Sequence, residues 1–511
     1  MPVTDVPQVQ FEQPDLLSAN TNFRPANNPK PKSSEQLKMD GFTKRPITLS
    51  KKAQLDMQLL LMIAKEYQPF NLVNDIEFRK FVTLLNPSYT LPTPKTLSEN
   101  LLPQQYLKLK QKVKDQLSKA LAVCVTTDGW TSDNNESFIG VTAHYIDPET
   151  SELCSYLLGC IEYEESHTAE NLHQFLREQF KEWDIGHKVG AIVSDNAANI
   201  LAAIHLSDWR SVSCFAHTLN LIVQTALGCI SEITGKVKKI VEFFHRSTTG
   251  LNKLKSIQLQ MNAPQLKLKQ DVITRWNSTY DMLDRATKIK EALIATLALI
   301  RQDLVLSAED WRVIESAVPI LKIFYEVTTE ISSEKTVSLS KVIVYCRLLS
   351  RHIDQRVSRT ELEDPTQIKN LLQTLQDQLK KRFKNIETSV LHAESTILDP
   401  RFKHRGFRLE QNYEKALADL KTKVGAMRPA NTPHLAEPAP PSAIASNTPS
   451  ATATSGNSIW NEFDTEIANL VPANNTAAGI VEINKYLQEP IINRTLQSPW
   501  LNHNHAQLLS D

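Results

Sequence analysis

Residues 125–147 read VTTDGWTSDNNESFIGVTAHYID. An apolar run stops on Asp128, a polar loop holds Trp130, and a β-branched, aromatic run, SFIGVTAHYI, comes next. The pattern predicts a buried strand, a turn and a second strand folding back on the first. Upstream, LAVCVTTD supplies the start of the first strand. Downstream, the DPET turn leads into ELCSYLLGCIEY, a third strand. The segment HTAENLHQFLREQFKEW sets Leu172, Phe175, Leu176 and Phe180 on one helical face. KVGAIVSD then reads as a fourth strand, again ending on an aspartate, Asp195. Three strands joined by short turns, then a helix and a further strand, predict a mixed sheet with a crossover.

Helices are expected on both sides of this block. Before it, SKKAQLDMQLLLMIAKEY has a candidate cap at Ser50 and apolar residues at Leu55, Leu59, Met62 and Ile63. VNDIEFRKFVTLL and LPQQYLKLKQKVKDQLSKAL follow as helices, with Pro87, Pro92 and Pro94 breaking the chain between them. After it, nearly all of 216–427 has helical periodicity. The expected organisation is a disordered N-terminus (1–45), a helical N-terminal domain (46–120) and a mixed-sheet core (121–225). A large helical domain (226–427), a Pro/Ala/Ser/Thr linker (428–475) and a short C-terminal segment (476–511) complete it. The fold class is thus α/β plus all-α.

Composition narrows the function. The 511 residues carry 57 Lys+Arg and 57 Asp+Glu, so any nucleic-acid binding must come from local basic patches. The six cysteines form no CxxC pair, which points to free thiols in a reducing compartment. No apolar run is long enough to predict a membrane span.

Asp128 and Asp195 each close an apolar strand. An aspartate there can cap a turn. Two such residues on neighbouring strands can instead hold Mg²⁺ or Mn²⁺ ions that activate water or a 3′-hydroxyl in phosphodiester transfer. Both readings stand at this level, and the strand order fits a ribonuclease H-like core.

A family resemblance enters on these residues. TTDGWTS with FIGVTAHYID, then AIVSDNAANI, CFAHTLNLIVQ (214–224), TRWNSTYDML (274–283), ILDPRFK (397–403) and EINKYL (482–487) resemble, in order, the blocks of the hAT superfamily of DNA transposases. PFNLVNDIEFRKFVTLLNPSYTLPTPKTLS is most similar to host proteins of the zinc-finger BED type. The resemblance implies a ribonuclease H-like core interrupted by an all-helical insertion domain. It implies that Asp128 and Asp195 descend from metal-binding catalytic residues, and that Cys214 and His217 form the family's C-x-x-H element near the active site and DNA. At i, i+3 these two would share a helical face, where they could equally help pack the core. Arg275 and Trp276 match the R-W element that handles a flipped base. An indole can stack on such a base and a guanidinium can hold a phosphate, whereas the alternative is a tryptophan packed at a helix start. Glu482, Tyr486 and Leu487 fall in the opening of the dimerisation motif. Basic pieces such as KKRFKNIE and RFKHRGFR are candidates for phosphate contact or simply for solvated helix faces.

Three departures shape the expected function. The sequence lacks a Ser/Ala-rich stretch ending E-R-x-F-S, where the family carries its third catalytic carboxylate. It also lacks the C-x-x-C…H-x-x-x-H pattern of a BED finger, and its dimerisation segment is short. The leading expectation is a transposase-derived nuclear protein with a vestigial site. It would bind DNA weakly or without sequence preference, associate with itself or with hAT relatives, and regulate transcription. No zinc is expected in this chain, and Mg²⁺ or Mn²⁺ only if the ancestral site is retained. The alternatives are an active DDE-type transposase represented by an incomplete gene model, and a protein-interaction scaffold without nucleic-acid binding.

Overall fold

A computed structural model describes residues 46–426 and 475–492, apart from 273, 334–335 and 360–363. The expected disordered N-terminus and nearly all of the expected linker lie outside the described residues, as does the chain beyond 492. The chain forms two compact units, one up to Leu109 and one from Lys110 onward.

In the first unit, α1 (Leu49–Lys65) and α2 (Ile76–Leu85) precede α3 (Leu102–Lys119), which runs through the division. The cap of α1 is Thr48 rather than Ser50: its Oγ1 accepts the Lys51 N–H at 3.2 Å. The unit's small core gathers Leu59, Leu60, Ile63, Val73 and Leu97. The second unit begins inside α3 because Val113 and Leu117, on its later turns, pack into the core of the sheet.

That sheet has five strands: β1 (Val123–Thr131), β2 (Ser137–Ile146), β3 (Leu153–Glu162), β4 (Val189–Ser194) and β5 (Ser211–Ser213), in the order β3-β2-β1-β4-β5. β1, β2 and β3 pair antiparallel, while β4 runs parallel to β1 and to β5. The mixed sheet and its crossover are as the sequence pattern predicts. β5 was not foreseen, since three residues are too few to show alternation. α4 (Ala169–Trp183), capped by Thr168, covers one face. It buries Leu172, Phe175, Leu176 and Phe180 on the side where Val123, Val125, Ile139 and Val141 point. Each such side chain contributes roughly 1.5–3 kcal/mol on leaving water. α5 (Ala198–His205) adds Ala203 and Ile204 to the same core.

The remaining helices are α6 (Phe215–Leu227), α7 (Ser231–Arg246), α8 (Thr248–Gln260), α9 (Trp276–Lys288), α10 (Lys290–Ile300), α11 (Ala308–Ile331), α12 (Val342–Ser358), α13 (Thr366–Arg382), α14 (Val390–Leu398), α15 (Glu410–Ala426) and α16 (Asn475–Gln488). One apolar core runs from α6 through α13. A smaller one joins Ile343, Ala393, Ile397, Phe407, Ala416 and Leu420 to Ile483 of α16.

Candidate nucleic-acid interface

β1 and β4 lie in parallel register, with Val125 beside Ile192 and Thr126 beside Val193. Two further steps along each strand bring Asp128 level with Asp195. β4 and β5 pair with Ser194 beside Ser213, and one step more brings Asp195 level with Cys214. The Cys214 N–H donates to the Ser194 carbonyl at 2.8 Å. Asp195 and Cys214 therefore leave the carboxyl ends of β4 and β5, and Asp128 lies level with them inside β1, which does not end on this aspartate as expected but runs on to Thr131 because its pairing with β2 continues. Beyond Thr126 the two aspartate strands part, because β1 goes on pairing with β2 as far as Thr131 and Ser137 while β4 stops at Ser194. In open α/β sheets ligands bind in the crevice at such an edge, where strand order reverses.

Each aspartate has its own setting. Asp128 is exposed, opposite Gly140 in the β1–β2 pair. Two residues on, Trp130 lies over Gly140 and stacks on Phe138 at 6.0 Å, while its ring stays 45% exposed. A Cβ on Gly140 would come within 3.1 Å of the indole, so the ring would have to shift by a few tenths of an ångström to admit one. Asp195 is half-buried, and its Oδ1 accepts the Ala197 N–H at 3.1 Å, so one oxygen already serves a turn. Asn196 follows with φ 72°, a left-handed conformation that asparagine tolerates. Its Nδ2 donates to Thr218 Oγ1 at 3.4 Å, and that hydroxyl donates to the Cys214 carbonyl at 3.0 Å. These bonds tie the strand-end loop to the first turn of α6.

Cys214 does not share a helical face with His217. It is the extended residue that precedes α6 (φ −60°, ψ 112°), and only His217 lies within the helix, half-buried. Among the described residues no three His, Cys, Asp or Glu side chains converge as metal ligands would. Two carboxylates thus stand near this edge among the described residues, one of them engaged by a backbone amide. A cavity of about 330 Å³ opens beside the edge, lined by Asn196, Ser213 and Thr218 on one side and by Arg382 and His392 on the other.

The R-W element divides. Trp276 opens α9 with its side chain 2% exposed, edge-on to Tyr325 at 6.5 Å, deep in the helical core. No face of the ring is open to a base, so the core-packing alternative describes this tryptophan. Its indole N–H has no hydrogen-bond partner among the described residues. Arg275 is exposed, and its backbone forms the cap position of α9. Two features outside the motif hold this corner. Asn220, one turn beyond His217 on α6, accepts the Trp276 backbone N–H on Oδ1 at 3.2 Å. Asp271 accepts from Ser278 at 2.7 Å and Thr279 at 2.8 Å and pairs with Lys238 at 2.6 Å. Burial alone would raise the Asp271 pKa, but these partners outweigh it and hold the carboxyl below its usual range. Asn220 left one sequence signal, a polar residue inside the apolar run of CFAHTLNLIVQ; Asp271 left none.

The other candidates have mainly structural surroundings. Tyr486 is buried and Leu487 packs on the small C-terminal core, with the Tyr486 hydroxyl donating to the Ile397 carbonyl at 3.1 Å. Glu482 is half-buried on the same helix. In RFKHRGFR, Arg401 is buried against Asp399 at 2.6 Å and Lys403 is buried as well, leaving Arg405 and Arg408 exposed. In KKRFKNIE the Lys380, Lys381, Arg382 and Lys384 side chains face solvent.

Two family models match the chain: the ZBED1 RNase-like domain over residues 126–211 and the ZBED1 RNase-like helical domain over 212–319. Human zinc finger BED domain-containing protein 4 is 28% identical over 373 residues, covering 70% of this chain and 31% of its own length. The putative AC transposase of Zea mays is 29% identical over 366 residues, covering 67% and 44%. The putative transcriptional regulator tpeD of Talaromyces stipitatus is 27% identical over 373 residues, covering 64% and 44%. The chain thus spans less than half the length of these relatives.

Proposed function

We propose, on the premise that the chain is hAT-derived and BED-protein-like, that it binds DNA through its sheet edge and helical domain and regulates transcription in the nucleus without strand transfer. The observation that carries this reading is the level placing of Asp128, Asp195 and Cys214 across three adjacent strands, joined by α6 to the exposed Arg275. The order β3-β2-β1-β4-β5, antiparallel in its first three strands and parallel in the rest, supports a ribonuclease H-like core beneath it. Relatives named as a transposase and as a transcriptional regulator support a DNA-directed role. The proposed absence of strand transfer rests on the donor count among the described residues, two carboxylates where paired ions need more oxygen ligands.

Fluorescence anisotropy of a labelled duplex, titrated with the protein at rising salt, tests the binding. Affinity should fall steeply with salt, as phosphate contacts require. Affinity that is absent, or flat with salt, would favour an interaction scaffold instead. Incubation with DNA and Mn²⁺ should give no more cleavage than the Asp128→Asn variant gives, and Asp128-dependent cleavage would restore the enzyme. Self-association with a second copy or an hAT relative belongs to the same proposal. Since Tyr486 and Leu487 pack inside the chain, the half-buried Glu482 is the motif residue nearest to serving it, and sedimentation of the Glu482→Lys variant measures its part.

A further inference from the structure

We infer that a groove along α12, lined by Arg347, Arg351 and Arg408, is a binding site for the phosphodiester backbone of double-stranded DNA, which deepens the DNA-binding reading above and rests on it. The groove encloses about 420 Å³ and also holds Asp354, Gln355 and Ser358. These α12 residues recur at helical spacing from Arg347 to Ser358 and so form one stripe. At ~1.5 Å per residue the stripe is about 16 Å long, enough to follow more than one successive phosphate of a strand.

The arginines have separate jobs. The guanidinium of Arg347 donates to the carbonyls of Arg405 and, at 3.3 Å, of Phe407. It thereby holds the 405–408 segment against α12 and sets Arg408 as the opposite wall. Arg351 and Arg408 are exposed, and among the described residues neither makes an ion pair. The lining carries three guanidiniums against one carboxylate, and Asp354 Oδ1 accepts the Gln376 side-chain amide at 2.8 Å rather than an arginine. A guanidinium fork with no carboxylate partner fits phosphate oxygens in bidentate geometry, and hydroxyl and amide side chains beside it suit the same backbone. In a chain with equal numbers of acidic and basic residues, such a local excess is what phosphate contact requires.

The test is duplex binding by the full chain, wild type against Arg351→Gln/Arg408→Gln, with Arg351→Lys/Arg408→Lys as the charge-retaining control. Loss of two phosphate contacts should lower the slope of log affinity against log salt by about 1.8 and weaken binding at low salt at least tenfold. The lysine pair should recover most of the slope. Thermal unfolding should not change, because both side chains face solvent. If the wild type binds with a steep salt dependence and the glutamine pair keeps that slope, the groove assignment is overturned while DNA binding stands. If the wild type shows no salt-dependent affinity, the DNA-binding reading fails and the groove assignment fails with it.

Discussion

The ammonium of Lys403 lies 4.3 Å from the ring centroid of Tyr486 and donates to that residue's backbone carbonyl. It also donates to the Glu489 carbonyl at 2.8 Å. The lysine is 1% exposed, and burial pulls its pKa below the usual lysine value, partly offset by the Glu489 charge. A cation at the end of α16 satisfies carbonyls that the helix itself cannot. Lys403 is therefore the latch of the C-terminal segment.

Lys403→Met should leave those carbonyls without a donor in a buried place. The expected cost is about 2–4 kcal/mol. Hydrogen exchange should show Ile483 to Glu489 losing protection well before the sheet does. Equal loss of protection in both regions would mean that the latch supports the whole unit.

His392 is 6% exposed, and burial lowers its pKa to about 4. Its Nδ1 is paired with Ser389 Oγ at 2.9 Å. The folded protein keeps this imidazole neutral, whereas the unfolded chain protonates it below about 6.5. Between those values the unfolded state binds the extra proton, so stability declines as pH falls from about 6.5 to 4, by up to about 3 kcal/mol. Urea midpoints at pH 7 and pH 5 should differ less in His392→Asn than in the wild type. An unchanged difference would assign the acid loss to other groups.

Trp276 and Asn220 make separable contributions. Trp276→Ala empties a fully packed position and should cost about 3–5 kcal/mol. Asn220→Ala removes one acceptor from the Trp276 N–H and should cost about 1 kcal/mol. Chemical denaturation of the two single variants checks both figures. A Trp276 variant of native stability with weakened DNA binding would return this residue to the base-handling role.

Gly406 has no room for a side chain. A Cβ there would clash with Thr396 Cγ2, and Thr396 is fully buried with its hydroxyl donating to Ser340 at 3.0 Å and His392 at 2.7 Å. Because Thr396 cannot turn aside, Gly406→Ala should destabilise by about 1–3 kcal/mol. The melting temperature checks it, and an unchanged value would show that the 403–406 turn can shift.

The strands, the α4 face and most helices could be read directly from residues, because alternation and helical spacing are recorded within a dozen neighbouring positions. Asp195 follows the end of β4 as the same runs predict, whereas β1 continues past Asp128 to Thr131, because the polar residues there still pair with β2. Harder to read was what each polar residue does. Arg401, Lys403, Arg405 and Arg408 sit in one basic run, yet two are buried and two exposed. Trp276 stood equally for a stacking surface and a core residue until its neighbours were known. β5 and Asn220 were missed because a three-residue strand and a lone amide carry almost no periodic signal.

By itself the sequence determined the local elements and the order of the family blocks. These follow from short-range patterning, whereas the register that brings Asp128 level with Asp195 is a property of the assembled sheet. Only the tertiary structure decided which charges are spent inside and which remain for a partner. Lys403 meets Tyr486 across 83 residues and Arg347 meets Arg405 across 58, so no local pattern records either pairing. The cost of burying an unpaired charge makes these long-range meetings decisive. Where a partner comes from elsewhere in the chain, as for Lys403, the cation becomes a latch; where none comes from the described residues, as for Arg351 and Arg408, it stays at the surface, open to an anion.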